Sequence, residues 1–227
     1  MPRRLSEYVT FLSEYRRTFV TTGAIAPSSR GLARALARPL SQHDVAARIL
    51  EVGPGTGAVT REIVRHVGPE DRLDIVELND RFVELLRGRF ASESYFQKVA
   101  GQTEIFHMPV QDLPAEEPYD YIISGLPLNN FPTDLVSALL RRLMRLLRPG
   151  GTLSFFEYLA IRRVKTVVAP KKERRRLALV GRVVNNYLKE YEHDRDTVFW
   201  NIPPAVAHHL SNGAPAKAGT SHDTVVD

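Results

Sequence analysis

The 227-residue sequence has no cysteine. Thiol nucleophiles, disulfides and cysteine-ligated zinc are therefore excluded, and nothing points to an oxidising compartment. No stretch approaches the ~18 uncharged apolar residues of a membrane-spanning helix. Glu7, Glu14, Arg16 and Arg17 interrupt what could otherwise be the apolar core of a signal peptide. These absences lead us to expect a cytoplasmic chain that spans no membrane. The seven histidines fall at no metal-ligand spacing, so no metal site is expected, and His208-His209 reads as an incidental pair on a terminal segment. There is no internal repeat.

The sequence is 43% apolar and 25% charged, enough for one sizeable core and one main domain. A net charge of +5 permits a polyanionic partner, nucleic acid or an anionic membrane surface, without choosing between them.

Leu5, Tyr8, Phe11, Leu12, Tyr15 and Phe19 recur at the spacing that stacks them on one helical face. Thr21-Thr22-Gly23 and Pro27 end that helix, and Ser28 or Ser29 caps a second one over Gly31 to Arg38. Residues 1–40 are thus expected to form N-terminal amphipathic helices. Short buried strands are predicted at Arg48 to Val52, Leu73 to Val76, Thr103 to Met108, Tyr119 to Ser124 and Leu153 to Ile161, alternating with helices at Ala58 to Val67, Asn79 to Phe90, Thr133 to Leu147 and Lys171 to Leu188. An antiparallel hairpin of Tyr191 to Asp194 and Thr197 to Ile202 would complete the sheet. The expected fold class is α/β, a doubly wound, seven-stranded, mainly parallel sheet over residues 41–210, Rossmann-like, with an N-terminal helical extension. Residues 211–227 are expected to be disordered.

The turn Glu51-Val52-Gly53-Pro54-Gly55-Thr56-Gly57 joins the first strand to its helix. Its glycines let the backbone turn sharply and approach a ligand, with unpaired N–H groups behind it. The spacing is G-x-G-x-G, not the G-x-G-x-x-G of dinucleotide folds, and Glu51 would set a carboxylate where a pyrophosphate should lie. Repulsion there argues against NAD. The same carboxylate suits the cationic amino-acid end of S-adenosylmethionine (SAM), Glu77 at the end of the second strand can accept both ribose hydroxyls, and Asp112 can accept the adenine amine. For Asp112, an ordinary loop acid is an equal reading.

With these residues the sequence resembles class I SAM-dependent methyltransferases. Ser124-Gly125-Leu126-Pro127-Leu128-Asn129-Asn130-Phe131-Pro132 after the fourth strand, with Thr22-Gly23-Ala24-Ile25-Ala26-Pro27-Ser28-Ser29, is similar to the bacterial phospholipid N-methyltransferases, which make phosphatidylcholine from phosphatidylethanolamine. The resemblance covers about Tyr8 to Pro204. It implies a SAM site of Ser28, Ser29, Glu51, Gly53, Gly55, Thr56, Gly57, Glu77, Asp112 and Ser124. After the fifth strand this chain has Tyr158-Leu159-Ala160 and Arg162-Arg163 where the family's aromatic-Gly-Pro stretch is expected. Tyr15 and Tyr158 are candidates for positioning the acceptor nitrogen, by accepting a hydrogen bond and by attracting a methylated cation to the ring, and Asn129 is counted with them. A packed aromatic is the competing reading of either tyrosine.

Between Arg162 and Arg176 lie eight basic residues and a single acid, Glu173. Such a run suits a solvated helix face or an anionic membrane surface, and its place after the fifth strand favours the membrane. The aromatic N-terminal helix suits either core or interface. Together they imply a phospholipid substrate and a protein held peripherally on the inner face of the cell membrane. Two alternatives remain: an RNA adenine N6-methyltransferase, although Leu128 stands where those enzymes carry a stacking aromatic, and a non-catalytic SAM-binding membrane module.

Overall fold

A computed structural model describes residues 29–114, 116–159, 170–201 and 203–213 and a short strand at 224–225. The helix expected from Leu5, with Tyr15, and also Ser28, Arg162, Arg163 and Lys165, lie outside the described residues.

Five parallel strands form one half of the sheet: β1 (Arg48–Val52), β2 (Arg72–Glu77), β3 (Thr103–His107), β4 (Tyr119–Ser124) and β5 (Leu147–Tyr158). They stand in the order β3-β2-β1-β4-β5, continued by β7 (Ala205–Ser211), β6 (Glu192–Val198) and the two-residue β8 (Thr224–Val225). β7 is antiparallel to both β5 and β6. The order reverses between β1 and β4, and a crevice outside the carboxyl ends of those strands is the place where a doubly wound sheet takes its ligand.

The central strands β1, β2 and β4 are largely buried along their length because helices cover both faces. On one face Leu50, Val52, Val76 and Ile122 pack with Leu139 and Leu143 of α5 (Thr133–Leu146) and Val180 and Val184 of α6 (Lys171–Tyr191). On the other, Ile49, Leu73 and Ile75 meet Leu32 and Leu36 of α1 (Arg30–Ala37), Ile63 of α2 (Thr60–Ile63) and Leu86 of α3 (Asp80–Ser92). Here α4 (Ser94–Gln97) adds Phe96, edge-on to Phe90. Each fully buried leucine contributes about 1.5–3 kcal/mol by leaving water.

Ser29 is the N-cap of α1, its Oγ accepting from the Leu32 N–H at 3.2 Å. That helix packs against the sheet. Besides burying Leu32 and Leu36, it is tied to β6 through Arg38, which donates to Asp194 and Asp196 at 2.5 and 2.6 Å.

The antiparallel pair differs from expectation. Tyr191 ends α6, the two short strands predicted from Tyr191 to Ile202 are replaced by β6 and a turn, and the partner strand is β7. His208 and His209, expected to be incidental on a terminal segment, are buried in β7. His209 Nε2 lies 2.9 Å from Asp196 Oδ2 and Nδ1 lies 2.8 Å from Ser154 Oγ, so both ring nitrogens have a partner. His208 Nδ1 is 2.6 Å from Glu192. Pairing with residues far along the chain is what lets both rings be buried. β8 is an eighth strand, in the stretch expected to be disordered, and pairs with Asp196 and Thr197.

Candidate functional site

The glycine turn has the conformation that its sequence demands. Gly53, Gly55 and Gly57 have φ of 71°, 58° and 81°, where any other residue is strained. Gly53 N–H donates to Val76 and Gly125 N–H donates to Val52, so β2 and β4 clamp the turn from both sides. A Cβ at Gly125 would stand 2.6 Å from the Gly53 carbonyl oxygen, whereas one at Gly55 would meet nothing within 4 Å. The space over Gly55 is open to a ligand.

Glu77, at the carboxyl end of β2, is buried. Its Oε1 accepts from the N–H groups of Leu78 and Asn79 at 2.8 and 2.9 Å, and its Oε2 from Gly55 at 3.2 Å. A carboxylate has about four acceptor positions, so vicinal hydroxyls can share an oxygen that the backbone already orients. Glu77 thus shapes the glycine turn as well as lining it, a second role that the sequence does not announce.

Glu51 is fully buried at the end of β1, and neither carboxylate oxygen makes a hydrogen bond among the described residues. Burial pushes its carboxyl up to about 8, and the Glu77 charge adds to this; the Thr60 hydroxyl and N–H pull the other way, although neither reaches hydrogen-bonding geometry. A buried carboxyl without a partner is costly unless a ligand supplies one. A cationic ligand group at this point would supply it.

Between the carboxyl ends of β1, β2 and β3 runs a narrow apolar slot lined by Val52, Val76, Leu78, Met108, Gln111 and Leu126. Both polar atoms of the Gln111 carboxamide are buried in it without a hydrogen bond. Asp112, expected to take the adenine amine, is exposed and does not line the slot. A carboxamide, able both to donate and to accept, thus lines the slot beside the exposed acid. The two residues are adjacent in a turn whose Asp112 N–H donates to Pro109, and no sequence signal distinguishes which of them faces inward.

Ser124 is fully buried at the end of β4, its Oγ within 3.4 Å of the Leu126 N–H. Asn129 is buried in a single 3-10 turn, Leu128–Asn130. Arg176 of α6 holds that segment, donating to the carbonyls of Asn129 and Phe131 at 2.9 and 2.5 Å while Glu173 accepts from it at 2.6 and 2.9 Å. Arg176, read from the sequence as one surface charge in a basic run, is instead a staple between α6 and the loop after β4. Tyr158 ends β5 with its ring edge-on to Phe156 in the α1-side core, and burial pushes its phenol up. Ser29 N–H donates to Asn201 at 3.3 Å, which fixes the start of α1 near the same edge. Thr56 is exposed on the outer lip of the turn. Ser28 and Tyr15 lie outside the described residues.

The arrangement offers a flat apolar slot ending in a carboxamide, a carboxylate for paired hydroxyls, an unsatisfied carboxyl for a cation, and a stapled loop opposite. Comparison with known proteins agrees with it. Residues 49–151 match the family model described as a methyltransferase domain. An ornithine lipid N-methyltransferase from Singulisphaera acidiphila is 32% identical over 148 residues, 65% of this chain and 76% of the relative. A ubiquinone/menaquinone biosynthesis C-methyltransferase from Ectopseudomonas mendocina is 30% identical over 112 residues, spanning 49% of this chain and 41% of the relative. Among solved structures, the O-methyltransferase TomG from Streptomyces achromogenes, in complex with SAM, has a TM-score of 0.57 at 18% identity over 90% of this chain and 89% of its own. An O-methyltransferase from Bacillus cereus, in complex with S-adenosylhomocysteine (SAH), gives 0.58 at 14% identity over the same shares, 90% and 89%.

Proposed function

We propose an acceptor for a chain that belongs to the class I SAM-dependent methyltransferases: the amine of a membrane lipid, phosphatidylethanolamine and its methylated derivatives, on the way to phosphatidylcholine. The cofactor is SAM. The observation that carries the reading is the 32% identity over 76% of a relative named for N-methylation of ornithine lipid. That relative's lipid also bears an amine, so it is the alternative acceptor.

The residues present suit the cofactor. The Gln111 carboxamide would face the adenine, Glu77 the ribose hydroxyls and Glu51 the ammonium of the methionine end, with Gly53, Gly55 and Gly57 giving backbone access. Bound SAM supplies an electrophilic methyl group on a sulfonium. The protein's own task is to exclude water, to align an acceptor lone pair, and to let a lipid ammonium lose one proton before it attacks. Asn129 and the stapled loop form one wall for the acceptor and Tyr158 the other. No helix of the described residues is long and apolar enough to cross a membrane, so the lipid would be met at a surface, peripherally.

The test is purified protein with methyl-labelled SAM and liposomes containing phosphatidylethanolamine, its mono- and dimethyl forms, or ornithine lipid, followed by lipid separation. Label in the ethanolamine series supports the proposal. Label confined to ornithine lipid replaces the acceptor, and label in added RNA alone refutes lipid methylation.

A further inference from the structure

On the face of the sheet opposite α5 and α6, α1, α2 and α3 enclose an open cavity of about 400 Å³ into which five arginines converge: Arg30, Arg34, Arg61, Arg65 and Arg89. Among the described residues Glu62 is the single acid lining it, and it is already engaged, 3.1 Å from Arg65 and 3.8 Å from His66. Two of the five guanidinium groups are tethered. Arg65 also donates to the Tyr95 hydroxyl at 2.8 Å, and Arg89 is 3.5 Å from Glu93 with its guanidinium over the Phe96 ring. Arg30, Arg34 and Arg61 have no ion pair or side-chain hydrogen bond among the described residues.

An ordinary solvated face intersperses its charges with acids, whereas here like charges face one concavity. Arginine cannot relieve the repulsion by losing a proton, and its planar fork matches phosphate oxygens two at a time. The glycine turn contributes to the same wall. Thr56 brings an exposed hydroxyl, and Gly57, held at φ of 81°, lines the cavity beside Arg89.

We infer that this cavity is a binding site for a phosphate group, carried by an anionic phospholipid headgroup or by a soluble phosphate ester, and that its five arginines, none of which lines the apolar slot, hold that group. The inference does not rest on the identity of the methyl acceptor, and its test reads binding alone.

The probes are glycerol 3-phosphate by calorimetry and phosphatidylcholine vesicles with and without phosphatidic acid by sedimentation. At least one probe should bind, and the double variant Arg34→Gln/Arg61→Gln should weaken it tenfold or more while SAH affinity stays within twofold. Arg34→Lys/Arg61→Lys should recover part of the loss, which a merely structural role would not produce. Arg141→Gln, an exposed arginine of α5, should change nothing. Binding of the ester alone identifies a soluble ligand, and binding of phosphatidic acid vesicles alone identifies a lipid; both outcomes support the site. The inference is overturned if neither probe binds, if the double glutamine variant binds as the parent does, or if saturating SAH displaces the phosphate ester.

Discussion

Glu51 has a pKa of about 8 in the folded protein against an ordinary 4.5. The folded chain therefore holds this proton more tightly than the unfolded chain, and the resulting stability is fully present below pH 4.5 and lost as pH rises to about 8. Glu51→Gln should flatten the decline of cofactor-free melting temperature between pH 5 and 8, the window set by those values. A cation placed against Glu51 would ionise it, so cofactor binding at pH 7 should release up to one proton. Calorimetry of SAH binding in buffers of different ionisation heat should show that release in the parent and not in Glu51→Gln; equal heats in both would remove the cation from this position. For Glu77, removal orphans three backbone N–H groups and deletes the hydroxyl acceptor together. Glu77→Ala should lose at least tenfold in SAH affinity, about 1.4 kcal/mol, and melt earlier. Gln111→Ala should cost several-fold, about 1 kcal/mol for a hydrogen bond, while Asp112→Asn changes little. A comparable loss in Asp112→Asn would restore the acid to the adenine. Glu51 and Glu77 are legible in the sequence because the glycine turn marks the carboxyl end of β1 and because the ends of parallel strands share one edge. Gln111 is not, since no periodicity governs a turn.

Elements are legible where burial imposes a pattern and obscure where the chain's own chemistry hides it. β1 to β4 fall within a residue or two of their apolar runs; β1 and β4 match throughout. β5 begins earlier than expected, at Leu147, because Pro149-Gly150 forms an irregularity inside a strand instead of a turn before one: Gly150 has φ of 79° and the pairing with β4 shifts between Tyr119 and Tyr121. The helix expected over Ala58 to Val67 contracts to Thr60–Ile63 with turns on either side. β7 escapes a reading of the sequence because His208 and His209 interrupt the apolar run begun by Ala205-Val206-Ala207, while the groups that satisfy the rings, Ser154, Glu192 and Asp196, lie up to 55 residues away. Long-range pairing of this kind leaves no local signature. The same holds for the link from α6 to the loop after β4 through Arg176, which spans 45 to 47 residues. Arg176→Ala would leave two buried-side carbonyls without their donor and free the loop. Turnover should fall tenfold or more at saturating cofactor while SAH affinity stays within twofold. If cofactor affinity falls as far as turnover, the loop belongs to the cofactor side and α6 does not position the acceptor.

At the scale of the whole molecule, the carboxyl edge of the sheet carries the cofactor turn, the stapled loop and the start of α6, where Lys171, Lys172, Arg174 and Arg175 are exposed. On the proposed reading, a membrane-lipid amine would be met where that edge faces the bilayer. Each basic residue near an anionic surface contributes about 1 kcal/mol, screened over about 8 Å at physiological salt. Because Arg176 is committed to the acceptor loop, the membrane test must spare it. Charge reversal of Lys171, Lys172, Arg174 and Arg175 together should cut sedimentation with anionic liposomes at least tenfold, four contacts being ample for that, and leave SAH affinity unchanged because none of the four lines the slot. Binding by the parent should grow with anionic lipid content and weaken as salt is raised. Serine at Phe11 and Phe19 should weaken it further if the N-terminal aromatic stripe enters the interface. The distinguishing comparison is between neutral and anionic liposomes at low and high salt: equal binding under all four conditions would show that these charges do not hold the protein. Lipid methylation in detergent micelles that survives charge reversal, with liposome methylation lost, would assign the four residues to surface capture and leave the chemistry to the stapled loop and the cofactor turn.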